Sequence, residues 1–310
     1  MTTVLVTGGA GFVGSHLCDR LLAEGHKVVA VDDLSTGRIA NLGEARGYGK
    51  EFTFLNMDVR AEGLGSLFDR HKPQVVMHLA AQTSDKVAMA DPVSDASTNV
   101  MGLLNILEAS VKSGVEKIVY ASSGAAIYGE PRKLPLKETA AAGARPLGPH
   151  GVANRAAEEY LRYYQRYRSL DFTVLALGTV YGPRQVSGAV VTFIESMMKG
   201  EPPTIAGDGN QTRDFVYVDD TVHAFALALE GGSGKLINIG TGVETPITGL
   251  ARMIAEITGF SGRPIAGNRP QGEPRRVALD NSLASGELGW RPWTHLEDGL
   301  REMVAFIKGV

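Results

Sequence analysis

The chain has 310 residues, 44% hydrophobic and 21% charged, which places it among ordinary globular proteins and excludes disorder as its dominant state. Its 31 basic and 34 acidic side chains leave a net charge of -3 without a charged tail, so it lacks the electrostatic footprint of a nucleic-acid binder. No apolar run approaches the roughly 20 residues needed to cross a bilayer, and the opening residues show no basic leader. The single cysteine, Cys18, cannot form an internal disulfide. The expectation is a soluble, cytoplasmic protein with no membrane or nucleic-acid partner. Glycine is the outlier. There are 38, against an average share of roughly 7%, and they follow no collagen-like period, so they must serve turns or a close approach of backbone to ligand.

In chain order, Thr3–Val6 is a short β-branched run, followed by glycines and an amphipathic stretch over Phe12–Ala23. Further strand signals lie at Lys27–Val31, Phe52–Leu55, Val75–Leu79, Lys117–Ala121 and Phe172–Leu177. Helical patterns lie between them, at Leu64–His71, Val93–Ser113 and Val152–Tyr167. Gly25 and Gly114 stand where helix C-termini favour a left-handed residue. Near-continuously apolar strands alternating with helices predict a parallel sheet covered on both faces, a doubly wound α/β domain. Beyond Pro183 the elements shorten: helices near Val190–Lys199, Thr221–Leu229 and Thr248–Ile257, strands near Asp214–Val218 and Leu236–Ile239. This part reads as a smaller cap on the C-terminal edge of the sheet.

The first strand runs into Thr7-Gly8-Gly9-Ala10-Gly11-Phe12-Val13-Gly14, a Gly-x-x-Gly-x-x-Gly turn that opens the first helix. Such a turn brings a pyrophosphate to unpaired backbone N–H groups at a helix N-terminus. The second strand ends at Asp32, where a carboxylate accepts hydrogen bonds from ribose hydroxyls and repels a ribose phosphate, which favours NAD over NADP. Asp58-Val59, after the third strand, is placed for the adenine ring. The seven histidines lack zinc-site spacing, so no metal is expected.

Further motifs follow in order: His78-Leu79-Ala80-Ala81-Gln82, Asn99, Ser122–Gly129, Val180-Tyr181-Gly182-Pro183-Arg184, Gly207-Asp208-Gly209 leading to Arg213-Asp214-Phe215, Asn238–Gly242 and Leu288–Pro292. Together with Thr7–Gly14 they resemble the extended short-chain dehydrogenase/reductase family, specifically its nucleotide-sugar epimerases and dehydratases, with UDP-glucose and UDP-glucuronate 4-epimerases nearest. The resemblance implies a Rossmann domain over 1–182 and a nucleotide-sugar-binding domain over 183–310, some of whose segments return to the first. It also implies tightly bound NAD, with Ala80, Ala81, Gln82 and Asn99 beside it, and a homodimer packed through the helices at Val93–Ser113 and Val152–Tyr167.

The family's working set is a Ser or Thr followed by Tyr-x-x-x-Lys. Here the matching segment is Pro149–Glu158, with His150 in the place of Tyr and Asn154 in the place of Lys. Ser123 fits the Ser position, although a strict count selects Gly124. A phenol needs a cationic neighbour to fall from about 10 toward neutrality, whereas an imidazole starts near 6.5 and a lysine beside it would weaken it as a proton acceptor. His for Tyr and Asn for Lys therefore belong together, with His150 as acid/base and Asn154 on the nicotinamide ribose. The opposing reading is a decayed dyad that binds without turnover. Around the sugar the resemblance offers Tyr128, Thr179 (where the family has Asn), Arg213 and Arg269, with Asp85 and Lys86 as further candidates. The expected reaction is 4-epimerisation through a transient 4-keto sugar; dehydration or decarboxylation from the same ketone is the alternative.

Overall fold

Side-chain alternation along Thr3–Thr7 (β1) decides the two faces of the sheet: Val4 and Val6 enter one core, Leu5 the other. The computed structural model describes all residues except 132, 269–271 and 310. After β1 come α1 (Phe12–Ala23), β2 (Lys27–Asp32), a short α2 (Gly43–Arg46), β3 (Phe52–Asn56), α3 (Leu64–His71) and β4 (Val75–His78). Then follow α4 (Asp85–Ala90), α5 (Pro92–Ala96), α6 (Gly102–Ser113), β5 (Lys117–Ser123), α7 (Pro149–Arg168) and β6 (Asp171–Leu177). The rest holds β7 (Thr179–Tyr181), α8 (Ala189–Met198), β8 (Thr204–Ala206), β9 (Thr212–Arg213), β10 (Phe215–Tyr217) and α9 (Val218–Leu227). It ends with β11 (Lys235–Ile239), β12 (Thr245–Pro246), α10 (Ile247–Thr258), β13 (Ile265–Gly267), α11 (Ser282–Leu288) and α12 (Leu296–Lys308).

Seven strands form one parallel sheet in the order β3-β2-β1-β4-β5-β6-β11. The order reverses between β1 and β4, which opens a crevice at the strands' C-terminal ends. One face is covered by α3, α6 and α7, with Phe68, Ile106 and Leu161 fully buried or nearly so. The other is covered by α1 and α9, and its core continues into α8, α10 and α12. Gly25 and Gly114 end their helices at φ +84° and +74°, as the sequence requires.

Two expectations shift. The helix predicted over Val93–Ser113 is divided: α5 ends at Ala96, a wider turn with π-type hydrogen bonding spans Ser97–Met101, and α6 begins at Gly102. The physical reason lies in Asn99, whose side chain is drawn to the Gln82 backbone. The strand near Leu236–Ile239 lies within the main sheet rather than the cap: β11 pairs in parallel with β6. Asp214, fully buried, ties this return together, accepting hydrogen bonds from Thr241 N (2.8 Å), Thr241 Oγ1 (2.6 Å), Gly242 N (3.0 Å) and Leu279 N (2.9 Å). Among the described residues no helix is long and apolar enough to cross a membrane.

Candidate active site

A cleft of about 560 Å³ opens where the C-terminal ends of β1, β2, β4, β5 and β6 meet. Its floor is the glycine turn. Gly8 takes φ +69°, and a Cβ on Gly14 would stand 2.0 Å from Gly8 O, so a side chain at position 14 has no room. The turn is held by Gly8 N and Gly9 N, both donating to Val31 O, at 2.8 and 3.3 Å. Phe12 and Val13 border the cleft at the start of α1.

Asp32 closes β2 with both oxygens in use, Oδ2 accepting from Ala10 N (3.0 Å) and Oδ1 from Leu34 N (2.8 Å). Burial raises its pKa above the usual carboxylate value. The loop after it approaches so closely that a Cβ on Gly37 would lie 2.6 Å from Asp32 Oδ1. Asp58 and Val59 border the same end, and Arg60 grips the Asp58 carboxylate, holding it below its ordinary range.

Ala80 and Ala81 border the cleft, whereas Gln82 and Asn99 stand behind it. Asn99 Oδ1 accepts from Gln82 N (2.8 Å), and its Nδ2 donates to Gln82 O (2.9 Å) and to Asp95 Oδ1 (3.0 Å). Asn99 thus shapes the loop that borders the cleft.

At the other end, Ser123 closes β5, and His150 and Asn154 come from the first turns of α7, one turn apart on one face. Gly124 is turned away against Leu279, so only Ser123 of the two register choices reaches the cleft. His150 and Asn154 are both buried. Asn154 Nδ2 donates to His150 O (2.9 Å) and lies 3.3 Å from His150 Nε2, while Asn154 Oδ1 accepts from Tyr120 Oη (3.1 Å). His150 Nδ1 is buried without a protein hydrogen-bond partner among the described residues.

The profile of the NAD dependent epimerase/dehydratase family matches residues 4–240. The chain belongs to this family. A UDP-glucose 4-epimerase of Mycolicibacterium smegmatis is 42% identical over 309 residues, 98% of each chain. Among solved structures, a Thermotoga maritima UDP-glucose 4-epimerase with UDP-glucose superposes with a TM-score of 0.94 at 40% identity, 99% of each chain covered. A UDP-glucuronic acid 4-epimerase from Bacillus cereus, in complex with UDP-glucuronic acid and NAD, superposes with a TM-score of 0.92 at 32% identity, again over 99% of both chains.

The protein is thus an NAD-dependent epimerase-type enzyme of the short-chain dehydrogenase fold, and the cleft fits its cofactor. Gly8, Gly11 and Gly14 border it at the start of α1, and position 14 packs so tightly on Gly8 that only glycine fits there. Family loops that sequence reasoning passed over also border it: Asp33, Ser35 and Thr36 after β2, Thr83 and Thr98, and Gln185–Ser187 after the Tyr181–Arg184 motif. The polar loop after Asp32 was the available signal. Asn41 and Arg38 both donate to Ala10 O at 2.9 Å and so tie that loop to the glycine turn.

The sugar-side expectations fare differently. Tyr128 is buried and does not border the cleft, its hydroxyl donating to Asn238 Oδ1 at 2.6 Å. Thr179 sits in β7 facing Phe215 across the ladder and does not border the cleft. Arg213 is engaged by Glu273 and by the carbonyls of Thr212 (2.9 Å) and Pro274 (3.1 Å). Arg269 lies outside the described residues. Asn154 borders the cleft with its Nδ2 turned to His150.

Proposed function

We propose that this enzyme inverts C4 of a UDP-linked hexose or hexuronate through a transient 4-keto sugar. Residues 1–182 hold the cofactor, and the segments of 183–310 that do not return to the main sheet face the sugar. The observation that carries this reading is the placement of Ser123 and His150 together on the wall of the cofactor cleft.

Bound NAD supplies the chemistry of taking a hydride from C4 and returning it. The protein's part is to hold and orient. The N–H groups at the start of α1 receive the pyrophosphate, and Asp32 receives ribose hydroxyls. Ser123 and His150 meet the reacting sugar oxygen. Between the two hydride steps the keto sugar must turn, and release of the ketone would end the cycle, so cofactor and sugar stay enclosed.

We also read the protein as a homodimer. Val93 is 78% and Tyr167 62% exposed, and Met101, Val152 and Tyr163 are exposed beside them on the outer sides of α5–α6 and α7. A second copy of the same apolar face covers such a surface with two-fold symmetry.

The test is incubation of the purified protein, with its NAD content measured, against UDP- and dTDP-linked hexoses and hexuronates, read by NMR of the products. A C4 epimer is expected. Dehydrated or decarboxylated products would replace epimerisation with a different use of the same ketone. NAD-loaded protein with no turnover across the panel would refute the enzymatic reading and favour a binding protein with a decayed dyad.

A further inference from the structure

Arg184 holds a backbone conformation that few residues other than glycine adopt, with φ +68°. It stands in the loop between β7 and α8, whose residues Arg184, Gln185, Val186 and Ser187 border the cleft. A strained backbone persists only where its surroundings hold it, and here the side chain is the anchor. Arg184 Nη1 donates to Asp19 Oδ2 at 2.7 Å, and Nη2 stands 3.8 Å from Glu44 Oε2 on α2. The two side chains of the closer pair are only 19% and 11% exposed, so salt screens it little.

Asp19 lies on α1 and has a companion there. His16, three residues earlier on the same face of the helix, places Nε2 2.9 Å from Pro183 O. A carbonyl only accepts, so this nitrogen carries the hydrogen and donates. The ring of Phe12, one turn earlier again, meets His16 edge-on and borders the cleft. The loop starts beside β6, where Leu177 pairs with Ser123 and Gly178 and Val180 border the cleft. It ends its reach on α1, the helix that the glycine turn opens and that packs on β1 and β2. The 184–187 wall thus spans from the Ser123 end of the cleft to the cofactor helix, with Val186 half exposed on its border.

We propose that Asp19 is a positioning residue for cofactor retention: through Arg184 it pins the 184–187 wall to the helix whose N-terminus receives the pyrophosphate. One helix then offers N–H groups at its start and grips the wall with its side, so the two keep a fixed relation. The inference rests on the NAD dependence of the family and not on which sugar is inverted. Arg184 is held back by two carboxylates, Asp19 and Glu44, and serves as an anchor rather than as a phosphate ligand. The two roles predict opposite signs. Freeing the arginine from Asp19 loosens the cofactor if it is an anchor, and tightens it if the guanidinium can then reach a phosphate.

Two measurements on the purified, NAD-loaded protein test this. Limited trypsinolysis reads the wall, because cleavage after Arg184 requires that side chain to be released, and mass spectrometry of the two fragments gives its rate. Exchange of bound NAD against isotopically labelled NAD reads retention. Asp19→Asn should speed both about tenfold or more, as expected for the loss of a shielded charge-assisted hydrogen bond. Cleavage at other basic residues should stay within twofold of wild type, and Asp19→Glu should recover part of both effects. Arg184→Gly cuts the same pair from the loop's side with a residue at ease at that φ, so it still reports on exchange if Asp19→Asn folds poorly. The double variant should exchange no faster than the faster single one, because both changes act on one pair. Cleavage after Arg184 within twofold of wild type in Asp19→Asn would show that Asp19 does not hold the wall. Faster cleavage with unchanged NAD exchange would separate the wall from retention, and slower exchange would make Arg184 a phosphate ligand; either overturns the proposal. Additive effects in the double variant would overturn it too, since Asp19 would then act through α1 itself. Absence of turnover on every sugar would sink the 4-epimerase reading and leave these outcomes standing.

Discussion

Replacing Gly14 by alanine tests the cofactor turn at its tightest point. The added Cβ would stand 2.0 Å from Gly8 O, 2.8 Å from Gly8 C and 3.0 Å from Gly9 Cα, all of them backbone. Reaching an ordinary contact of about 3.5 Å requires a main-chain displacement of more than 1 Å. That displacement pulls on bonds that define the turn, Gly8 N to Val31 O at 2.8 Å and Gly11 N to Gly8 O at 3.0 Å. Overpacking of this kind costs about 1–3 kcal/mol. It also misplaces the N–H groups offered to the pyrophosphate, so NAD affinity should fall by about ten- to a hundredfold, equivalent to roughly 1.4–2.8 kcal/mol. Calorimetric titration with NAD and thermal melting with and without NAD measure the two effects. Gly65→Ala is the control, because a Cβ there meets nothing within 4 Å. If Gly14→Ala bound NAD within twofold of wild type and melted at the same temperature, the turn would not be the close approach argued above.

Three other outcomes follow from buried groups and exposed faces. Asp214→Ala strands the N–H groups of Thr241, Gly242 and Leu279 and should cost about 3 kcal/mol or more in urea denaturation; a loss below 1 kcal/mol would show that water replaces the carboxylate. Glu158 is buried one turn beyond Asn154, with Oε1 lacking a partner among the described residues, and desolvation lifts its pKa to about 7. The folded state therefore binds more protons than the unfolded one between roughly pH 4.5 and 7, and stability falls as pH rises through that window. Relative to wild type, Glu158→Gln should gain about 3 kcal/mol between pH 4.5 and 7; this difference also subtracts the opposite slope from His78, whose imidazole burial lowers to about 4. A constant difference would mean that Glu158 stays ionised. Tyr163→Glu, on the exposed face of α7, should convert a dimer to monomers in sedimentation velocity, and an unchanged sedimentation coefficient would place the interface elsewhere.

Most of the fold was legible because its signals are local. Strand and helix positions follow apolar periodicity, and Gly25, Gly114 and the glycine turn mark positions where backbone conformation or space admits little else. Pairing is different. Nothing within Lys235–Ile239 says that it will lie beside Asp171–Leu177, so the seventh strand was assigned to the smaller part. The break at Ser97–Met101 was hidden for a related reason: its apolar spacing suits a continuous helix, and only the Gln82 loop, brought by β4, shows why Asn99 is better used out of register.

The same distinction separates the legible part of the site from the rest. Ser123, Asp32 and the glycines border the cleft where the chain itself turns, so motif position is enough to place them. Tyr128, Arg213 and Asn154 also hold motif positions, yet each is claimed by a partner far away in sequence: Asn238, Glu273 and Tyr120. For Asn154 that claim changes the chemistry. A lysine at this position would bring a cation beside the imidazole and toward the buried carboxyl of Glu158, four residues on. An amide brings no charge but has a direction, and Tyr120 sets that direction from the neighbouring strand.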